Sequence, residues 1–236
     1  MVANKERRLM RTILILIILF AFVILRKLKI HINWSSFLKK GFRKEIDEYG
    51  VYCFCGKQGT GKTYSAISFI KNKREPKQIV ITNVYSYYER NKSYCIYESD
   101  ILKIIEICEK ESFRNKYIIF YDEIFTYLEK GGKMNKKVLA FLSQMRKRGL
   151  YFITTAQEWL EIHMTFRRYT RYQIECSMRN IPIIKIAICI NKINDATQMK
   201  WDQLENEYIA PIVQTNIKKG NKEIIEMYDT YETIST

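Results

Sequence analysis

Residues 56–63 constrain the fold of this chain more than any other stretch, because they match the pattern G-x-x-x-x-G-K-[ST] at every fixed position. The β-branched and aromatic residues 51–55 predict a strand before it, and a helix is predicted from Lys62 to about Asn72. In this order, glycines let successive backbone N–H groups point at phosphate oxygens, and the helix N-terminus adds a partial positive charge. The stretch therefore predicts a phosphate-binding loop made of Gly56, Lys57, Gln58, Gly59, Thr60, Gly61, Lys62 and Thr63.

Two side chains of this loop have predicted contacts with ATP and Mg²⁺. In loops of this kind the lysine, here Lys62, reaches the β- and γ-phosphates. The hydroxyl of the next residue, Thr63, ligates the Mg²⁺ ion that accompanies the phosphates. ATP and Mg²⁺ are therefore the expected cofactors.

A second motif, at residues 117–123, is an apolar run that ends in two carboxylates, Asp122 and Glu123. A continuous apolar run is typical of a buried parallel strand, and its carboxyl end would place Asp122 beside the loop. Asp122 is predicted to hold Mg²⁺ together with Thr63, and Glu123 to polarise the water that attacks the γ-phosphate. The acidic pair favours ATP hydrolysis over nucleotide binding alone, so the chain is predicted to be an ATP hydrolase.

Two further sets of side chains are candidates for roles in hydrolysis. Gln157 follows a predicted strand at residues 151–155, next to the acidic strand, where it would touch the γ-phosphate or the attacking water and sense hydrolysis. Arg146 and Arg148 are catalytic candidates as arginine fingers that reach the γ-phosphate of a neighbouring subunit, as are Arg167 and Arg168. The same arginines equally fit contacts with DNA phosphates or a solvated surface.

Predicted helices alternate with predicted strands along residues 49–190. Asp100 and Asn135 each precede an apolar pattern of helical period, and Gly149 follows the second of these helices. This alternation predicts an α/β fold, a P-loop NTPase with a mainly parallel, doubly wound sheet. Later strands are expected at about residues 172–178 and 183–190, and a hairpin is expected between residues 213–217 and 224–228.

Residues 12–25 are almost wholly apolar and lie between Arg11 and Arg26. The run is shorter than the ~20 residues that span a bilayer, but snorkelling arginines lengthen the effective span. We expect an N-terminal transmembrane helix; a signal peptide, which would need a small-x-small cleavage site, and a buried core helix are the alternatives. Because the loop must meet ATP in the cytosol, the span would run with its N-terminus outside, and the basic residues lean the same way.

Three segments are predicted along the chain. Residues 1–29 form a membrane anchor with basic flanks, residues 30–48 a juxtamembrane basic and aromatic segment, and residues 49–236 the ATPase domain. In the middle segment, Trp34 and Phe42 interleave with lysines and arginines, which suits the headgroups of an anionic membrane. A short helix that caps the ATPase domain is the alternative.

The charge and the cysteines narrow the range of partners and sites. The formal net charge is +15, from 40 Lys+Arg against 25 Asp+Glu, which indicates a polyanionic partner such as nucleic acid or an acidic membrane surface. A solvated basic surface in a lysine-rich chain is the alternative. None of the 6 cysteines forms a C-x-x-C pair, and with 2 histidines a zinc site is not expected; the cysteines are expected in the core.

Four features in order resemble the zonula occludens toxin family and the related gene I assembly proteins of filamentous phages, within the FtsK/HerA group of motor ATPases. They are the G-K-Q-G-T-G-K-T loop, I-T-N-V at residues 81–84, Y-D-E at residues 121–123, and S-Q-M-R-K-R-G leading into F-I-T-T-A-Q at residues 152–157. The resemblance covers roughly residues 50–175. By position, it implies that Lys62 and Thr63 bind phosphate and Mg²⁺, that Asp122 and Glu123 serve metal and water, and that Gln157 is the sensor.

The resemblance also implies a cellular setting. It implies a ring-forming ATPase at the host inner membrane, single-pass with its ATPase domain cytosolic, which exports or packages single-stranded phage DNA together with phage coat or assembly proteins. Members of the family carry their membrane span after the ATPase domain, whereas here the apolar run, residues 12–25, comes first. The docking of partner proteins is the family property that this difference affects.

Other classes of protein fit parts of the sequence. Lys57, at the second loop position, is also found in the ParA/MinD group, which positions DNA or division sites at a membrane. A conjugative DNA-transfer coupling ATPase shares the same superfamily, and a non-enzymatic anchor would use nucleotide only as a switch. A membrane protease of the FtsH type is excluded, because it needs H-E-x-x-H and the two histidines, His31 and His163, are far apart.

Overall fold

The computed structural model describes residues 2–28, 30–32, 46, 48–110, 116–124, 134–181, 186–203 and 207–229. Its strands are β1 (Ile30–Ile32), β2 (Gly50–Cys55), β3 (Ile79–Thr82), β4 (Cys95–Tyr97), β5 (Tyr117–Tyr121), β6 (Tyr151–Ala156), β7 (Thr170–Ile181), β8 (Ile186–Asp195), β9 (Lys200–Asp202), β10 (Glu207–Ile209) and β11 (Ile212–Lys219). Its helices are α1 (Val2–Lys27), α2 (Lys62–Lys73), α3 (Tyr85–Arg90), α4 (Ile101–Glu109), α5 (Lys136–Ser143), α6 (Met145–Arg148), α7 (Met164–Tyr169) and α8 (Lys222–Ile225). Short 3₁₀ turns lie at Trp159–Glu161 and Ala196–Gln198.

The described strands form one large sheet in the order β1-β11-β8-β7-β2-β6-β5-β3-β4. The six strands from β7 to β4 all run parallel to their neighbours. Strand β8 is antiparallel to β7, β11 is antiparallel to β8, and β1 pairs parallel with β11. The predicted α/β class with a mainly parallel sheet is therefore confirmed.

Burial on both faces explains why the central strands are continuous apolar runs. Every residue of β2, β5 and β6 is buried, which a parallel sheet covered by helices on each side requires. Helices α2, α3 and α8 contribute to the core on one face, with Tyr52 and Phe54, and helices α4 to α7 contribute to the other, with Val51 and Phe152. All six cysteines are buried and free, as expected for core residues.

The predicted helix boundaries follow from capping side chains. Asp100 accepts a hydrogen bond of 2.8 Å from the Leu102 N–H, and Asn135 accepts one of 2.8 Å from the Lys137 N–H. Both satisfy N–H groups that the first helical turn leaves without intrahelical partners. Gly149 ends α6 in the left-handed region, with φ of 63°, where glycine carries no Cβ penalty.

The hairpin predicted between residues 213–217 and 224–228 is wrong. Residues 222–225 form the short helix α8, and Asn221 caps it by accepting a 3.0 Å hydrogen bond from the Glu223 N–H. Strand β11 pairs with β8 instead. A glycine followed by asparagine is compatible with a turn or with a helix start, and here the side-chain cap decides between them.

The N-terminal part of the chain differs from the sequence expectation. Helix α1 extends beyond the apolar run on both sides, and Leu14, Leu16, Phe20 and Val23 are each more than half exposed. No helix within the described ranges combines the length and the apolar character that crossing a membrane requires. The transmembrane helix predicted at residues 12–25 is therefore not supported.

Strand β1 lies inside the segment that was predicted to be juxtamembrane. It pairs with Thr215–Ile217 of β11 and so extends the sheet at one edge. Residues 33–45, which hold the basic and aromatic side chains of that prediction, lie outside the described residues. The boundaries predicted for the three segments stay predictions.

Candidate nucleotide-binding site

The loop between β2 and α2 depends on glycines at two crowded positions. Gly56 and Gly61 have φ angles of 149° and 80°. A Cβ atom on Gly56 would lie 2.9 Å from the Cys176 carbonyl oxygen, and one on Gly61 would lie 2.8 Å from the Met178 methyl carbon. The positive φ angles favour glycine at both positions, and at Gly56 the nearby backbone carbonyl also leaves no room for a Cβ atom.

The backbone carbonyl of Lys57 accepts hydrogen bonds from other residues of the loop. Its carbonyl oxygen accepts hydrogen bonds from the Thr60 N–H at 3.2 Å and from the Thr60 hydroxyl at 2.7 Å. The Lys62 ammonium donates to the same oxygen at 3.2 Å. The Lys62 side chain therefore folds back over the loop. It lies at the N-terminus of α2, where the helix dipole also favours an anion.

Asp122 joins the carboxyl end of β5 to the loop. The Thr63 hydroxyl donates to one carboxylate oxygen, Oδ2, at 3.2 Å, and the Thr155 hydroxyl donates to the other, Oδ1. On the backbone side, the Asn83 amide donates to the Asp122 carbonyl at 3.0 Å and accepts from the Asp122 N–H at 2.8 Å. The structure thus brings together Thr63 and Asp122, which are 59 residues apart in sequence.

The donor set at this point fits Mg²⁺. A hydroxyl and a carboxylate are hard oxygen ligands, and Mg²⁺ in nucleotide sites is held by one or two such groups together with waters and phosphates. Among the described residues, no group of three or more His, Cys, Asp and Glu side chains could hold a metal by itself. Thr63 and Asp122 would hold the ion, which would supply charge neutralisation for the phosphates.

The environment of Asp122 changes its acidity. Burial raises the pKa of its carboxyl to about 6, and the charge of Glu123 adds to the rise. The hydrogen bonds from Thr155 and Thr63 oppose the rise, because they stabilise the ionised form. At neutral pH the ionised carboxylate is therefore held at a cost in folding free energy.

Glu123 lies in a backbone conformation that is rare for its residue type. Its φ angle is 53°, and no other non-glycine residue in the described part of the chain has a positive φ. Its N–H donates to the Thr155 hydroxyl at 2.9 Å. This left-handed turn separates two neighbouring carboxylates, one buried and one half-buried, and such strain is found at functional sites.

Gln157 lies at the carboxyl end of β6, between the strands that carry the loop and the acidic pair. Strand β6 pairs with β2 on one side and with β5 on the other. The exposed Gln157 side chain lines a cleft of about 540 Å³ together with Gly56 and Lys57. The position fits the predicted sensor, whose role stays a prediction.

The structure does not bring Arg146 and Arg148 to the loop. Both lie in α6, just before the amino end of β6, whereas the loop and Gln157 lie at the carboxyl edge. Arg148 donates to the Gln144 side chain at 2.8 Å and lies 3.6 Å from Glu109. Arg167 and Arg168, in α7, precede the amino end of β7 in the same way. Any contact of these arginines with a γ-phosphate would be with that of another subunit.

Sequence reasoning assigned no role to three residues that build the site. Asn83 and Thr155 position Asp122 and Glu123, and both belong to the motifs I-T-N-V and F-I-T-T-A-Q. Tyr228 is buried and burial raises the pKa of its phenol to about 12, with the charge of Asp122 the second cause. The C-terminal segment therefore lies within electrostatic reach of the site.

The family of the chain is shown by a comparison with family models. A model of the ATPase family associated with various cellular activities (AAA) matches residues 52–180, which is more than half of the 236 residues. The chain belongs to the AAA family of ATPases. This AAA match contains the loop, the acidic pair and Gln157, so the protein is a P-loop ATPase and ATP hydrolysis is its activity.

A solved structure shares the fold of this AAA ATPase, and another gives a weaker match. The N-terminal domain of zonular occludens toxin from Neisseria meningitidis matches with a TM-score of 0.51 at 13% identity, over 78% of this chain and 100% of that chain. The genome packaging NTPase B204 from Sulfolobus turreted icosahedral virus 2, in complex with ATP-gammaS, has a TM-score of 0.47 at 12% identity, over 71% of this chain and 100% of that chain. No curated protein sequence matches significantly. At these identities the likeness concerns the fold, and at that level the resemblance to the zonula occludens toxin family is confirmed.

The burial of Asp122 predicts how stability changes in the isosteric variant Asp122→Asn. Below about pH 3 the carboxyl is protonated in the folded and unfolded states, so wild type and variant should have similar free energies of unfolding. As the pH rises through the folded pKa of about 6, wild type alone loses stability, because ionisation is harder in the folded state. At pH 8, without nucleotide or Mg²⁺, the variant should be more stable by on the order of 1–3 kcal/mol.

Urea unfolding of both proteins between pH 4 and 8 measures this difference. The variant Thr155→Val serves as a control. It removes the hydrogen bond from the Thr155 hydroxyl to the Asp122 carboxylate and should lower the free energy of unfolding at pH 8. A difference between Asp122→Asn and wild type that is constant across this pH range would contradict the assignment.

The position of Glu123 predicts a separation of binding from hydrolysis in Glu123→Gln. The amide keeps the shape of the side chain but cannot take a proton from water, so ATP hydrolysis should fall by about 10²–10⁴-fold. The affinity for ATP should stay within a few-fold of wild type, since Lys62 and Thr63 are unchanged. Steady-state hydrolysis and equilibrium nucleotide binding measure the two effects, with Glu98→Gln, at the end of the edge strand β4, as the matched control. Wild-type turnover in Glu123→Gln would exclude it as the base.

Proposed function

We propose that this ATPase attaches to the host inner membrane and uses ATP hydrolysis to export or package single-stranded phage DNA. The observation that carries the proposal is the order of motifs around the site, in which I-T-N-V and F-I-T-T-A-Q supply Asn83 and Thr155 to position Asp122. These two motifs are the ones that narrow the sequence resemblance to the phage assembly family. The shared fold with the N-terminal domain of zonular occludens toxin is consistent with it.

The charge of the chain supports a polyanionic cargo. The net charge of +15 attracts nucleic acid over distances set by the ionic strength, and neutralised phosphates release counterions on binding. ATP alone does not explain an excess of this size, since one loop and one lysine suffice to hold its phosphates. A DNA strand offers a phosphate at each nucleotide and is the partner that the charge fits.

A ring of subunits is part of the proposal. Arg146, in α6, is exposed and lies away from the loop of its own chain. In a ring, this edge of one subunit would face the carboxyl edge of the next, where the cleft beside Gly56 and Gln157 is open. Arg148 is the weaker candidate for a finger, because Gln144 and Glu109 already hold its guanidinium group.

Membrane attachment rests on helix α1. Its described apolar side chains, among them Leu16 and Phe20, are exposed rather than packed on the sheet, and Arg26 and Lys27 follow them. Apolar side chains next to basic ones suit the boundary between acyl chains and anionic headgroups. We infer that this helix holds the ATPase at the host membrane, with the ATPase domain on the cytosolic side, and that coat or assembly proteins meet it there.

The motor proposal predicts that single-stranded DNA stimulates ATP hydrolysis. Stimulation should weaken steeply with salt. Each phosphate contact on a single strand contributes roughly 0.7 to the slope with which the logarithm of the DNA-binding constant falls against the logarithm of the salt concentration. The measurement is ATP hydrolysis by the full chain in detergent, with and without a single-stranded oligonucleotide, at salt concentrations from about 50 to 300 mM. Contacts with DNA phosphates weaken over this range. The Glu123→Gln variant is the control for contaminating ATPases.

The same measurement separates the alternative functions. Stimulation by double-stranded DNA above that by single strands would favour a conjugative or other duplex motor. Hydrolysis that responds to neither form of DNA would contradict the motor proposal and favour a positioning ATPase of the ParA/MinD kind.

The attachment proposal predicts that charges on α1 release the protein from membranes. In the double variant Leu16→Lys with Phe20→Lys, two exposed apolar side chains are replaced by charges that the acyl-chain region disfavours, so the protein should move from the membrane pellet to the soluble fraction. Leu160→Lys, on an exposed apolar residue of the ATPase domain, is the matched control and should stay with wild type. Pelleting of the double variant to the same extent as wild type, after a wash in neutral buffer, would contradict attachment through α1.

A further inference from the structure

Strand β7 continues well beyond the end of the loop-bearing strand. Its register with β2 ends at Glu175, opposite Cys55, yet β7 runs on to Ile181. Over residues 176–181 it pairs with residues 186–191 of β8. These two stretches, here called the arm, continue past the carboxyl end of β2 beside the phosphate-binding loop, and β11 pairs with the arm at residues 188–191.

Met178 lies on the face of the arm that packs against helix α2. Successive side chains of a strand alternate between the two faces, and Tyr172, Ile174 and Cys176 are buried in the same cluster as α2. Met178 continues that face and packs partly buried against the cluster, whereas the next residue, Arg179, is exposed and takes the opposite face. The Met178 methyl group lies against Gly61, which precedes the first turn of α2.

The strand order indicates on which side of the loop the nucleoside of a bound nucleotide lies. Glu123 and Gln157 follow β5 and β6, which lie on one side of β2, and β7 lies on the other side. A residue that activates water must lie at the γ-phosphate end, so that end of the triphosphate points toward β5 and β6. The nucleoside is at the opposite end of the phosphate chain and therefore lies on the β7 side of the loop, next to the arm.

We propose that Met178 contacts the nucleobase of bound ATP and contributes to the affinity of the site for nucleotides. A thioether is polarisable and packs well against the face or edge of an aromatic ring. Partly exposed beside Gly61, Met178 presents such a group at the nucleoside end of the loop. This inference concerns the nucleotide site alone and holds whichever cargo the motor moves.

The alternative is that Met178 only supports the loop, and two ligands distinguish the two roles. ADP carries a base, whereas inorganic pyrophosphate contacts the loop in the same way without one. In Met178→Ala, the dissociation constant for ADP with Mg²⁺ should rise roughly 2–10-fold, the range that one sulfur–aromatic contact provides. The dissociation constant for pyrophosphate with Mg²⁺ should change by less than about two-fold. Isothermal titration calorimetry on the full chain measures both constants without relying on hydrolysis or DNA.

Two further variants complete the test. Arg179→Ala, on the other face of the same strand, should leave both dissociation constants at wild-type values. Met178→Leu keeps most of the side-chain volume but not the sulfur, so it should recover only part of the affinity for ADP that Met178→Ala loses. The proposal is overturned if Met178→Ala weakens ADP and pyrophosphate by the same factor, or if it leaves the affinity for ADP unchanged.

Discussion

The hydrogen bonds to the Asp122 carboxylate are the interactions on which the rest of the site depends. They link the first turn of α2, through Thr63, to the ends of β5 and β6, through Asp122 and Thr155. Asn83 ties the end of β3 to the same residue through two backbone bonds. These elements reach one point only because neighbouring parallel strands end at the same edge, so the parallel order of the sheet is a condition for the chemistry.

Two adjacent residues of the candidate site, Asp122 and Glu123, are each held at a cost in folding free energy. Asp122 is buried, and its raised pKa shows that the folded chain disfavours the ionised form that a metal would need. Glu123 holds a left-handed backbone conformation that costs of order 1–3 kcal/mol for a non-glycine residue. Thr155 contacts both, donating to the Asp122 carboxylate and accepting from the Glu123 N–H, so one hydroxyl helps to offset both costs.

The sequence predicted the elements of the site better than the contacts between them. The loop, the acidic pair and the caps at Asp100 and Asn135 are local patterns, and the structure has each element at its predicted place. Thr155 and Met178 escaped prediction, because their roles depend on the register of strands that are far apart in sequence. The same limit explains the wrong hairpin, since the partner of β11 is β8, which precedes it rather than follows it.

The position of the arm bears on how the site and the sheet edge are coupled. Gly56 packs against the carbonyl of Cys176, and Gly61 against Met178, so both ends of the loop touch one strand. Strand β7 also carries Glu175, which forms an ion pair with Lys192 of β8 in the cleft beside the loop. A displacement of the loop on nucleotide binding would therefore reach β7 first at Cys176, because the contact of Gly56 there is with the backbone carbonyl, whereas the Met178 side chain at Gly61 is able to move.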